Sequence, residues 1–336
     1  MDATSQLINS RYFLKIVILL LLLIAISITC LMIGTYNISF KEMLSVFSFE
    51  KNNEALRTII LEIRLPRILL AIAIGGGLSV TGAVFQAILM NPLAEPYILG
   101  VSSGGTFGAV LSFLLGLSFF WTQFLAFAGA LSVIFLVFFI GKRFGEIEPN
   151  VLLLSGVMVG AFFSALIMLM MILLDNTLRN AVFWALGNLS SAEKFTSYYL
   201  LPVSIFIAII LSINSQKFNV LSIGTENAKH LGINTELLKN LAYILSSFLV
   251  GAIVSVSGII GFVGLLIPHV CRLIFGVDNR VVIPFSFFIG AMFLLLSDTL
   301  ARTIIAPAEL PVGVITALVG APVFIYLLRK RFNIST

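Results

Sequence analysis

Long uncharged runs, each near the thickness of a bilayer and each ended by charges or turn residues, dominate this chain. Ten stand out: Ile16–Ile33, Ile68–Met90, Tyr97–Phe120, Trp121–Ile140, Val151–Leu174, Tyr198–Ile213, Leu241–Gly258, Ile259–Phe275, Val281–Ser297 and Pro311–Leu328. A membrane-crossing helix needs about 20 consecutive apolar residues, so the pattern predicts about ten transmembrane helices. Two boundaries rest on turn residues. Tyr97–Ile140 carries no charge and is about twice the required length, so the break is placed at the Gly116–Gln123 turn. Leu241–Phe275 divides near Ser257 and Gly258, which leaves a short eighth span.

The second run is the most informative. Gly75, Gly76, Gly77 and Gly82 interrupt it, and each would cost a helix in water about 1 kcal/mol. Inside a membrane, small residues let helices approach closely, where no hydrophobic effect drives them together. Arg64 and Arg67 stand at one end of this run. At the other is a polar turn, Asn91-Pro92-Leu93-Ala94-Glu95-Pro96, whose prolines forbid helical hydrogen bonding at their nitrogens.

Composition agrees with the pattern. Of 336 residues, 60% are hydrophobic and 10% charged, and the mean hydropathy is +1.12. No soluble fold of this length could solvate such a surface. The expectation is an all-α polytopic membrane protein, one transmembrane domain over residues 1–336 with no linker or soluble domain. Ten spans put both termini on one side. With the termini in the cytoplasm, twelve Lys and Arg fall inside and eight outside, and the positive-inside bias favours that orientation. Ile16–Ile33, preceded by Arg11 and Lys15, resembles a secretory signal but lacks a small-residue cleavage site before Tyr36–Lys41, so it reads as a retained first helix. The net charge of +5 is scattered over loop ends and does not form a nucleic-acid footprint.

Several chemistries are missing. The chain has no GxxxxGK[ST] phosphate loop, no HExxH and no GxSxG, so it cannot hydrolyse ATP alone and reads as no enzyme. His269 lies two residues from Cys271, but a metal site needs three or four ligands, and a packing role for the pair is the better reading. Cys30 and Cys271 fall in different apolar runs and suggest neither disulfide nor metal. Nine of the ten runs lack Asp, Glu, Lys and Arg; Arg272 in the eighth is the exception. Ion-coupled carriers usually bury ionisable groups at mid-membrane, so the pattern favours a transporter driven by a separate subunit.

Four motifs then give a resemblance: RLPR at Arg64–Arg67, GAVFQAILMNPLAEPYILGVSSG at Gly82–Gly104, GFVGLLIPHVCR at Gly261–Arg272, and ELPVGVITALVGAPVFIYLL at Glu309–Leu328. In order and spacing they resemble the permease subunits of type II ABC importers, the iron-siderophore, heme and cobalamin family, from about Ser39 to the C-terminus. The resemblance implies ten helices in two inverted five-helix halves, and an odd number of spans per repeat requires such inversion. It also implies a bacterial cytoplasmic membrane (inner or sole) and a second permease subunit, identical or closely related. Two ATP-binding subunits would hold the ATP and Mg, and an extracytoplasmic binding protein would deliver the substrate. The chain itself is expected to hold no cofactor, to contact membrane lipid and to bind no nucleic acid.

Site residues follow from the same resemblance. Arg64, Arg67 and Arg302 match positions that receive glutamates from the binding protein; the rival reading is interfacial anchors for headgroups. As exposed residues outside the apolar core, they are expected to tolerate charge reversal without loss of folding. Asn219–Gly232 resembles the coupling segment that seats in the ATPase, with Gly224, Thr225, Glu226, Ala228, Leu231 and Gly232 as its residues. Thr225 is the predicted N-cap and Gly232 the stop, the rival being an ordinary solvated loop. Leu93 matches a cytoplasmic gate residue whose partner position here is Asn150, where the family has a small hydroxyl residue. A tight turn is the rival at both positions. Ser155, Gly156, Gly160 and Ser164 share a face of the fifth run, which the resemblance assigns to the pathway and close packing explains equally. Met168, Met170 and Met171 read as filler, since ferric ion does not select thioethers. The expected cargo is a ferric siderophore, with heme or cobalamin next and an ion-coupled carrier as the alternative of another class.

Overall fold

A computed structural model describes residues 3–47, 54–143, 146–174, 177–190 and 193–332. Lys51, one of the basic residues counted outside, lies beyond the described residues. Among the described residues the regular structure is helical apart from a short hairpin pairing Lys142–Arg143 with Glu146–Ile147. Its helices are α1 (Ala3–Met32), α2 (Phe40–Phe47), α3 (Glu54–Thr58), α4 (Leu65–Ile88), α5 (Val101–Leu114), α6 (Phe119–Gly141), α7 (Pro149–Ile172) and α8 (Leu178–Ala185). There follow α9 (Lys194–Ile213), α10 (Ser215–Leu221), α11 (Thr225–His230), α12 (Thr235–Ser257), α13 (Val263–Phe275), α14 (Asn279–Ala301) and α15 (Val312–Phe332). A π-helical turn, Ile59–Arg64, joins α3 to α4, and a 3-10 turn, Pro96–Leu99, precedes α5.

Each of the ten uncharged runs falls on one of these helices. Among the described residues seven helices are long and apolar enough to cross a membrane, and three further apolar helices are shorter: Val101–Leu114, Val263–Phe275 and Val312–Leu327. The break placed at Gly116–Gln123 sits slightly earlier, at Leu115–Ser118, where Gly116 adopts φ +64°. The stretch Gly34–Arg67, which separates the first two uncharged runs, carries α2, α3 and the continuous helix leading into α4. Arg64 and Arg67 therefore belong to a helix rather than to a loop edge.

The hub is α4. Of its 24 residues 21 are buried, and it lies against α14, α9, α13, α12 and α1. Glycines make these contacts close enough for backbone to meet backbone. A Cβ on Gly82 would stand 1.9 Å from the Gly264 carbonyl of α13, and one on Gly75 would stand 2.3 Å from the Gly290 carbonyl of α14. Interhelical hydrogen bonds add to this packing: Ser204 Oγ of α9 donates to the Ala73 carbonyl at 2.8 Å. A second group, α5 with α6 and α7, joins the hub through α12, where Tyr243 Oη donates to the Ile134 carbonyl at 3.0 Å. By contrast α7 exposes Met158, Phe162, Met168 and Ile172, and α15 exposes Leu318, Ile325 and Tyr326. Such faces suit lipid or another apolar helix, not water.

Candidate functional site

Three groups of residues build candidate sites, two at opposite ends of the bundle. At one end the α4 and α14 termini bring Arg67, Asp298 and Arg302 together. Arg67 Nε donates to both Asp298 oxygens (2.9 and 3.0 Å), its Nη2 donates to Asp298 Oδ1 at 2.8 Å, and its Nη1 donates to Glu309 Oε2 at 2.8 Å. The planar guanidinium fork matches a carboxylate in this way, which a lysine could not do. Arg302, one turn beyond Asp298 on the same helix, places Nε 3.9 Å from Asp298 Oδ2 and donates through Nη2 to the Cys30 carbonyl at 2.5 Å. Arg64 donates to the carbonyls of Leu31, Met32 and Tyr36, so it stitches the end of α1 to the start of α4.

All three arginines are buried. The expectation of exposed side chains outside the core is thus corrected: the helical run from Glu54 into α4 draws Arg64 and Arg67 below the surface, where internal acceptors hold them. Sequence reasoning missed those acceptors, although Glu309 opens a motif already singled out and Asp298 lies four residues before Arg302. Three guanidinium charges against two carboxylates leave the cluster with one excess positive charge. Among the described residues Arg64 makes no salt bridge, so it is the member least committed to an internal carboxylate.

At the other end stands α11. It begins at Thr225, but Gly224 (φ +116°) is its N-cap, where Thr225 was predicted. Thr225 Oγ1 instead accepts from Lys239 Nζ of α12 at 3.2 Å. Gly232 at φ +80° ends the turn as predicted. Ala228 is fully buried against the bundle, whereas Leu231 and Ile223 flank the helix with about two thirds of their surface exposed (67% and 66%). Glu226 pairs with Lys229 at 3.2 Å on the exposed face. The element therefore has an anchored side and an apolar, free side.

Nearby, Asp278 caps α14. Its Oδ1 accepts from the Arg280 N–H at 2.9 Å and from Asn219 Nδ2 at 2.6 Å, and Arg280 also binds it through the guanidinium (Nη2 to Oδ2, 2.7 Å). Chiefly the Arg280 hydrogen bond lowers the carboxyl from 3.8 to about 2. The stabilisation is complete above the ordinary value and lost as pH falls through about 2, so acidifying from pH 7 to 5 should not remove it. Asp278→Ala should cost about 1 kcal/mol, a typical lost cap, while Asp278→Asn should keep most of it. Thermal unfolding in detergent at both pH values checks this; a midpoint that falls in the parent but not in Asp278→Ala would contradict it.

The third group, the Asn91–Pro96 turn with the first turns of α7, is only loosely assembled. Leu93 is half exposed, its N–H taken by Asn91 Oδ1 at 2.9 Å. Asn150 is exposed, and its N–H faces Glu148 Oε1 at 3.4 Å. Ser155 is buried, and a Cβ on Gly156 would stand 2.5 Å from the Ile98 carbonyl. Gly160 faces Ser103 and Gly100. The contacts of Gly156 and Gly160 are thus those of close packing against the turn before α5. Arg272, the charge within the eighth run, donates to Gln86 Oε1 of α4. His269 meets the edge of Phe324 (5.7 Å), and among the described residues no three His, Cys, Asp or Glu side chains could hold a metal ion.

Comparison with known proteins places this geometry. The model of the FecCD transport family matches residues 19–330. The chain is 36% identical to the hemin transport system permease protein HmuU of Yersinia pestis, covering 93% of this chain and 94% of that one. It is 35% identical to the iron(3+)-hydroxamate import system permease protein FhuG of Bacillus subtilis (strain 168), over 92% and 95%. A solved structure assigned to the metal-chelate type of ABC transporter, in an inward-facing conformation, superposes with a TM-score of 0.85 at 33% identity, covering 94% of this chain and 99% of that one.

Proposed function

Because the chain belongs to the FecCD transport family, the permease subunits of ABC importers, we propose that it passes a ferric siderophore into the cytoplasm as one half of a permease dimer. It is the non-catalytic membrane component for a metal-chelate substrate, and its partners hydrolyse ATP. The observation that carries the reading is α11: a short helix beyond the spans, anchored by Ala228 and presenting Ile223 and Leu231, on a chain with no phosphate loop.

In this reading the α11 end is cytoplasmic, as are both termini, and the arginine end faces outward. Two inverted five-helix halves supply ten spans, with α7 and α15 turned toward the second subunit and the pathway. Leu93 and Asn150 form the inner gate, where the half-exposed Leu93 supports the assignment better than Asn150. The excess positive charge around Arg64, Arg67 and Arg302 draws acidic groups of a binding protein. It acts mainly on encounter rate and orientation, with Arg64 as the principal receiver. Binding-protein association should then weaken as ionic strength rises; salt-independent association would contradict docking on this cluster.

The cargo is tested by uptake into vesicles containing the permease, its ATPase and its binding protein, with iron supplied as a siderophore complex or as heme. ATP-dependent uptake of the siderophore complex is expected. Uptake of heme alone would overturn the siderophore reading and leave the permease reading intact.

A further inference from the structure

Between α12 and α13 the chain leaves helical geometry twice, with Gly258 at φ +68° and Phe262 at φ +69°. With 13 residues, α13 is only about 20 Å long at 1.5 Å per residue, short of the roughly 30 Å hydrocarbon core. The break therefore lies at membrane depth. Irregular backbone survives there only where protein buries it or where it lines a water-filled cavity.

This segment does some of each. Its N–H groups are claimed from the opposite half of the chain: Ile260 N–H donates to Tyr97 Oη at 3.3 Å, and Phe262 N–H donates to Glu95 Oε1 at 2.8 Å. Gly187 and Gly313 pack on the Ile259 carbonyl and Gly320 packs on Phe262. Yet Ile259, Gly261, Phe262 and Glu95 all remain partly exposed. A carboxylate at this depth would be costly alone. Here it stands at the first turn of α13, which has no other side-chain cap, where the helix dipole favours negative charge.

Resting on the permease reading, we propose that Gly258–Phe262 is a wall of the passage and that Glu95 is the positioning residue latching it to the inner turn Asn91–Pro96. The same wall ends α12, whose 23 residues make a rod of about 34 Å. At the far end of that rod Lys239 donates to Thr225 of α11. A shift of α11 on the ATPase thus reaches the wall through α12, while Glu95 ties the wall to the mouth it must open.

The test uses the assembled transporter in vesicles, with Ile259→Cys or Gly261→Cys introduced singly and a membrane-impermeant maleimide as probe. A Cβ at Gly261 meets nothing closer than 3.8 Å, and the native Cys30 and Cys271 are buried. Both introduced thiols should label, at rates that differ between nucleotide-free and ATP-trapped states. Adding Glu95→Ala should raise labelling at position 259 about ten-fold, as expected for a lost hydrogen bond to a charged group, and should lower substrate moved per ATP. Glu95→Gln loses the charge but keeps an acceptor, so it should stay within about two-fold of the parent. No labelling at either position in any state would overturn the wall; equal effects of Glu95→Ala and Glu95→Gln would overturn the latch. If Glu95→Ala does not fold, Glu95→Asp, whose shorter side chain draws the acceptor away from the Phe262 N–H, takes its place, and an unchanged rate at 259 then counts as refutation. Uptake by the unmodified complex, measured in parallel, separates these outcomes from failure of the permease reading.

Discussion

Asp298→Ala should yield almost no folded protein. Asp298 is 3% exposed and lies between two buried guanidinium groups, those of Arg67 and Arg302. Its removal leaves Arg67 with Glu309 and takes from Arg302 its salt-bridge carboxylate among the described residues. Breaking a buried pair by deleting one partner typically costs about 3–5 kcal/mol, because the remaining charge stays desolvated. Arg67→Glu should be as damaging, since it sets a carboxylate against Asp298 and Glu309. The yield of monodisperse protein in detergent checks both. Wild-type yield of Asp298→Ala would mean that the cluster does not hold α4 to α14. This outcome also revises how docking is tested, because reversal of Arg67 would act on folding before it could act on a binding protein.

Leu231→Asp should weaken association with the ATPase by about thirty-fold, the loss of a residue worth about 2 kcal/mol at the centre of an interface, while leaving folding untouched. Leu231 is 67% exposed on a helix end beyond the apolar spans, so a carboxylate there meets water in the free subunit and, if α11 is the proposed coupling element, loses its water in the complex. Substituting Ala228 is less informative. Its fully buried Cβ packs α11 on the bundle, so a bulky charged residue would dislodge the element rather than alter its contact face. Co-purification of the ATPase with Leu231→Asp at the parent level would remove α11 as the coupling element.

The uncharged runs disclosed the helices because the bilayer imposes one length and one polarity on every spanning segment. Even the short α13 was legible, from Ser257 and Gly258. What the pattern could not disclose is where a charged residue at a run's end finds its counter-charge. Arg67 and Asp298 are 231 positions apart, and only the α4–α14 crossing, made possible by glycines such as Gly75 and Gly290, brings them together. Reading arginines at a span's end as exposed was therefore reasonable locally and wrong in the tertiary context. A short helix before Gly232 was legible, and α11 fills Thr225–His230 of the Asn219–Gly232 segment, but the choice of Thr225 as cap overlooked that Gly224 could adopt φ +116° and free the threonine for Lys239. The Glu95 and Tyr97 bonds to Gly258–Phe262 had no local signature, since both join segments more than 160 residues apart.

Transport by this chain should depend wholly on ATP hydrolysis by a partner. The purified permease in sealed vesicles, alone or with its ATPase and binding protein, is challenged with a ferric chelate under imposed proton and sodium gradients and then with ATP. Uptake is expected only by the complete assembly, only with ATP on the α11 side, and is abolished with Leu231→Asp. Gradient-driven uptake by the permease alone, without ATP, would contradict it.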